Sequence, residues 1–296
     1  TVWETKIAAL SSPLVEENAP MVCHADLHLA VARTNRYEFA GATASLEKWA
    51  DLPVAVPGLQ YWGQVKSSLG QHAAFLGRNS EAVAFFEEAM AAFDKLSDPL
   101  TRQKEVTQTS CYKAIAMMDD PIFSDEAVRN AVQSVTGSLS TVTHKFATGS
   151  SPSSRYAHHL LVRWLVHRGD SSSKSAYLSA ESDWFVGEGH PWPLIQLYRA
   201  ILLHEEKPSI ALQLALDGSA RAFSSNQGPV VRLIGACCRK IAAEWGEPWT
   251  AEVEELKSLR LALPNAKSQV NALEAWNSTD AAPLSLLQTV LPFNFR

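Results

Sequence analysis

The sequence predicts an all-α protein on three observations. Apolar residues recur at helical spacing almost throughout, no segment keeps a sustained period-two alternation, and one stretch of chain repeats itself 40 residues later. The 296 residues are 46% hydrophobic and 19% charged, with 14 Gly and 15 Pro, a balance that excludes disorder, collagen-like sequence and a small disulfide-stapled scaffold. At roughly 150 residues per domain, this length accommodates one elongated domain or two compact ones. A net charge of -5 supplies no global positive field to recruit nucleic acid or an acidic membrane.

From Pro20 to Thr34, Val22, Leu27, Leu29 and Val31 stand among small residues in the first helical run. Pro53, Pro57, Gly70, Gly77 and Pro99 punctuate the segments that follow. Between Glu81 and Leu96, the residues Val83, Phe86, Met90 and Phe93 recur at spacings of three and four and build one apolar stripe. Further stripes run over Tyr156–His167, Leu194–Leu203, Ile210–Leu216, Val230–Trp245 and Val253–Leu261. The expected total is about 14 to 16 helices averaging about 12 residues, joined by short loops. The one stretch of linker composition predicts an organisation into a helical region over 1–147, a linker or long loop at 148–155, and a second helical region over 156–296.

The repeat is the most specific signal. Leu29-Ala30, Ala42, Leu46 and Trp49 align without a gap on Leu69-Gly70, Ala82, Phe86 and Ala89, each pair 40 residues apart. The second copy resembles the tetratricopeptide repeat, a helix-turn-helix unit of about 34 residues. Gly70 and Ala82 are small where two antiparallel helices would touch, Gly77 permits the turn, and Phe86 fills the interface to the next hairpin. The family's Trp is Lys66 here, its Tyr is Ala73 and its Pro falls on Asp94, while the longer period requires extra residues between Ala50 and Gly58. The resemblance implies an antiparallel helix-pair solenoid, in one array or two lobes, acting as a protein-interaction scaffold or sensor module that binds a peptide or helix in a concave groove. Carried over by position, the groove would be lined by His24, Leu27, Val31, Thr34 and Asn35 in the first repeat, and by Gln64, Ser67, Gln71, Ala74 and Phe75 in the second. A weaker ladder, Ala176-x3-Ala180 on Ala211-x3-Ala215, has an offset of 35 residues and fits the same architecture.

No GxxxxGK[ST], GxGxxG, GxSxG or HExxH is present, so no cofactor is expected and the reading leans away from an enzyme. His24 and His28 stand at i and i+4, a spacing that can hold a metal, yet they have no Glu in the usual place and no obvious third ligand; structural or surface histidines are expected. Arg199-x4-His204 resembles the Arg-x4-His spacing of HEPN ribonucleases, which implies an all-helical enzyme in which His moves a proton and Arg steadies phosphorane charge. Ala200 replaces the family's polar residue, and a snorkelling Arg with a helix-terminal His is the expected reading. Arg155, His158, His159, Arg163, His167 and Arg168 form the densest basic cluster, expected as a solvated face or in contact with Asp170 and Glu181. Trp164, Trp184, Trp192, Trp245, Trp249 and Trp276 enrich the second half in aromatics, a setting for packing between repeats or for self-association of copies.

Cys23, Cys111, Cys237 and Cys238 show no metal-site spacing and read as reduced, buried thiols of a cytoplasmic protein. The first residues lack a signal-peptide pattern and no run of 18 apolar residues occurs, so a soluble chain with no membrane partner is expected. The chain begins at Thr1 without Met, which is expected of a segment of a larger protein or complex.

Overall fold

The computed structural model describes residues 18–34, 36–137, 152–181, 193–224 and 229–246. Among them are eleven helices and no strand. The helices belong to two compact units that part after Asp120. Of the stretch expected as a linker, Pro152 already opens a helix and residues 148–151 lie outside the described residues.

The first unit contains α1 (Ala19–Thr34), α2 (Phe39–Ala50), α3 (Leu59–Phe75), α4 (Asn79–Phe93) and α5 (Pro99–Met118). The first two hairpins, α1/α2 and α3/α4, repeat each other down to the turn. Tyr37 N–H donates to Thr34 O and Glu38 N–H to Arg33 O, while Gly77 N–H donates to Ala74 O and Arg78 N–H to Ala73 O. This is the Schellman arrangement at two positions 40 residues apart, with positive φ at Tyr37 (59°) and Gly77 (75°). Glycine takes that conformation without strain. Tyr37 is held in it by a buried ring packed on Phe39 and Phe75. The additional residues expected between the hairpins form the 51–58 connection.

Side-chain pairs fix the directions. Gly70 meets Phe86 and Gly63 meets Phe93, so α3 and α4 run antiparallel. Gln64 bonds Glu105 and Ser67 approaches Thr109, so α3 and α5 run parallel, as do α1 and α3 through His24–Tyr61 and Thr34–His72. A methyl group on Gly70 would lie 2.6 Å from Phe86 Cε1, and one on Gly63 would lie 2.5 Å from Phe93 Cε1. The backbone of α3 thus rests directly on two rings of α4. Gly70→Ala is expected to lower stability by about 1–3 kcal/mol, because overpacking outweighs alanine's propensity gain of about 1 kcal/mol. Thermal denaturation followed by circular dichroism checks this, and an unchanged midpoint would count against the close fit. The same Phe86 ring reaches Tyr112 of α5 at 6.0 Å between centroids, which continues the packing into the next helix.

The repeat also holds an ion pair whose charges are exchanged. Asp26 of α1 pairs with Lys48 of α2 at 2.8 Å, and Lys66 of α3 pairs with Glu88 of α4 at 2.8 Å. Both partners move by 40 residues between the copies. Asp26 is buried and also accepts from Trp49 Nε1 at 2.8 Å, on a ring fully shielded from solvent.

The second unit contains α6 (Asp125–Thr136), α7 (Pro152–His167), α8 (Ser171–Glu181), α9 (Pro193–Leu203), α10 (Pro208–Phe223) and α11 (Pro229–Glu244). Ser124 caps α6 by accepting from Ala127 N–H and Asp170 caps α8 by accepting from Ser173 N–H. Helix α9 is central: it packs against α7, α8, α10 and α11, and every residue from Leu194 to Ala200 is buried. Two expectations fail here. Ala176 is exposed whereas its ladder mate Ala211 is fully buried, because small-xxx-small spacing marks any tight helix contact and fixes no repeat. The basic face of α7 is not solvated: His158, His159 and Arg163 are buried. That helix packs against α6 and α9 and is buried from Tyr156 to Val166. His158 instead bonds Tyr177 of α8 at 3.0 Å, while Arg168 pairs with Asp125 at the start of α6, and Asp170 pairs with Arg129.

Candidate functional site

The neighbours of α3 divide its circumference. At about 100° per residue, Gly63, Lys66 and Gly70 look toward α4. Gln64, Ser67 and Gln71 lie on the α5 side, and Tyr61 and His72 on the α1 side. What remains open is the face opposite α4, carrying Tyr61, Gln64 and Ser68, all half-buried. The equivalent positions of α1 are Met21, His24 and His28, all exposed, with Met21 65% accessible. The two helices meet on this face where the His24 ring lies 5.2 Å from that of Tyr61.

The residues expected to line a groove are distributed unevenly about this face. His24 and Gln64 lie on it, and Val31, Ala74 and Phe75 are half-buried. Leu27, Thr34, Ser67 and Gln71 are buried: Leu27 joins the core, Thr34 bonds His72, and Gln71 Nε2 donates to Ser67 O at 3.4 Å. Phe75 packs on Phe39 with centroids 4.8 Å apart. Asn35 lies outside the described residues. Met21, Tyr61 and Ser68 escaped sequence reasoning, although projecting α3 with Gly70 at the back would have found Tyr61 and Ser68, and the 40-residue repeat carries Tyr61 onto Met21.

His24 and His28 converge: their Nε2 atoms are 3.0 Å apart. Cys23 points the other way, fully buried, and burial followed by the nearby Asp26 charge pushes its thiol up to about 12. It is therefore a packed thiol rather than a nucleophile or ligand. Among the described residues no group of three or more His, Cys, Asp or Glu could hold a metal. Cys111, Cys237 and Cys238 are likewise buried and in no disulfide.

His72 joins α3 to both helices of the first hairpin. Thr34 Oγ1 donates to Ala30 O at 2.8 Å and lies 2.7 Å from His72 Nε2, and Thr43 Oγ1 lies 3.2 Å from Nδ1. A neutral ring satisfies all of these contacts, with Nε2–H donating to Thr34 and Nδ1 accepting from Thr43. Burial lowers His72 from 6.5 to about 4, which keeps it neutral.

Arg199 and His204 occupy separate settings in the second unit. Arg199 is buried and its Nη1 donates to Gln196 Oε1 at 2.6 Å. His204 stacks on Trp245 with centroids 4.1 Å apart and planes within 8°. Trp164 is buried in α7; Trp184, Trp192, Trp249 and Trp276 lie outside the described residues. Among those residues no helix is long and apolar enough to cross a membrane. No family model matches this chain, and neither a curated protein nor a solved structure matches it.

Proposed function

We propose that the first unit is a tetratricopeptide-like docking module that binds a segment of another protein across the open face of α1 and α3. The observation that carries this reading is that the face opposite α4 offers aromatic, amide, hydroxyl and thioether groups in place of the charged, solvated surface usual for a helix exterior. Tyr61 and Met21 can seat an apolar side chain, while Gln64, Ser68 and the two imidazoles can bond a peptide backbone. The repeated hairpin geometry supports it too, since two parallel first helices form one continuous surface. In this reading the chain works as one module of a larger protein or complex.

The test uses a protein captured from native lysate, whose binding segment is mapped and synthesised as a labelled peptide. The variant Met21→Arg/Ser68→Arg, which crowds the open face, is expected to weaken that peptide by about tenfold or more in fluorescence polarisation, because a desolvated interface charge without a partner costs over 1.4 kcal/mol. Ala84→Arg, on the exposed side of α4, is expected to bind as the parent does. Equal affinity for all three proteins would refute the docking face.

A further inference from the structure

His24 and His28 have a geometry that ordinary surface histidines do not need. Both are exposed on α1, one helical turn apart, and both rings turn so that their Nε2 atoms approach to 3.0 Å. The rings sit edge to face with centroids 4.5 Å apart, and the His24 ring also packs on Tyr61 of α3 at 5.2 Å. The contact is a hydrogen bond in which one ring donates Nε2–H to the other ring's Nε2. With both imidazoles in the Nδ1–H tautomer the two Nε2 lone pairs stand close enough to share one ion, and little side-chain freedom remains to be lost on binding.

The donor chemistry selects the metal. Imidazole suits Zn, Cu, Fe and Ni, and among first-row divalent ions the affinity of a nitrogen site rises through Ni2+ to a maximum at Cu2+. Nitrogens already 3.0 Å apart need only small ring movements to share an ion at about 2.0–2.1 Å from each. Neither nearby acidic or thiol side chain of α1 joins the pair, since the Cys23 thiol is buried and Asp26 is engaged by Lys48 and Trp49.

We propose that His24 and His28 form a two-imidazole site on α1 for one divalent transition-metal ion of the Cu2+ or Ni2+ type. Its remaining coordination positions face outward and go to water or to a donor from a docked molecule. The site needs only these two rings, so it stands or falls independently of peptide docking on the same face.

Cu2+ is the probe, titrated into the full chain in a competing chelator buffer and followed by electron paramagnetic resonance. The expected result is one tight equivalent whose superhyperfine pattern reports two nitrogen ligands. Because the second imidazole binds intramolecularly, His24→Gln or His28→Gln alone is expected to weaken Cu2+ on the order of 100-fold and to reduce the pattern to one nitrogen. Glutamine suits both exposed helical positions, and circular dichroism verifies that each variant is folded. His204→Gln, which alters an imidazole of the second unit, is expected to leave the titration unchanged. The proposal is overturned if the wild type holds Cu2+ no more tightly than the His24→Gln/His28→Gln double variant, or if either single variant retains the two-nitrogen signal.

Discussion

Trp49→Ala is expected to destabilise the first unit by about 3–5 kcal/mol, the range for truncating a fully buried aromatic side chain. The indole fills the space between α1 and α2 and is shielded completely from solvent. Its Nε1–H is also one of two donors on the buried Asp26 carboxylate, with Lys48 as the other. Alanine therefore opens a cavity and leaves a buried acceptor short of a bond, two costs that add. Trp49→Phe separates them: it keeps most of the volume, loses the donor, and is expected to cost about 1–3 kcal/mol. Hydrogen exchange read by mass spectrometry over α1 to α4 is the appropriate measurement, since it reports the first unit alone. A Trp49→Ala protein whose exchange in α1 and α2 matches the parent would refute this account of the hairpin.

The helical class was legible because spacings of three and four accumulate over long segments, as in α4, where Val83, Phe86 and Phe93 are all buried as the stripe predicts. The repeat was legible for a different reason: Gly70, Ala82 and Gly77 are small where backbones touch or turn, and few residues can replace them there. The open face was less legible. A helix packed against four others buries polar as well as apolar side chains, so Ser67, Gln71 and His72 enter the interior although nothing in their polarity announces it. Of the groove positions carried over from the resemblance, Ser67 and Gln71 consequently turned inward, and Tyr61 and Ser68 were missed. Asp26 was invisible because its partners Lys48 and Trp49 lie across a hairpin at no motif spacing. The cluster on α7 failed the same way, since a run of His and Arg reads as surface until the helix is enclosed by neighbours.

The exchanged ion pairs show which features the hairpin geometry depends on. Asp26–Lys48 and Lys66–Glu88 join matching positions with opposite charge, so neither helix spacing nor register requires a particular sign. Small residues hold the spacing instead. Ala30 and Leu46 occupy the positions where the second copy has Gly70 and Phe86, all four buried, and the smaller partner of α3 accompanies the larger ring of α4. Volume is conserved across the pair while its distribution changes.

Acid is expected to weaken the first unit through His72 before most carboxylates titrate. The ring is buried and neutral between Thr34 and Thr43, and burial lowers it from 6.5 to about 4. The unfolded chain therefore takes up a proton at a higher pH than the folded one. Its contribution is fully present above pH 6.5 and is lost progressively as the pH falls toward 4, amounting to about 3 kcal/mol at about 1.4 kcal/mol per unit. Protonation would also turn Nδ1 from an acceptor into a donor facing Thr43, whose hydroxyl would have to reverse. His72→Gln retains one donor and one acceptor but cannot titrate in this range. Urea midpoints of parent and variant, measured from pH 7.5 to 4, isolate the effect, because every other titrating group cancels in the difference. The parent is expected to lose its advantage as the pH falls from 6.5 to 4, and a difference that stays constant with pH would show that His72 is not held neutral by the fold.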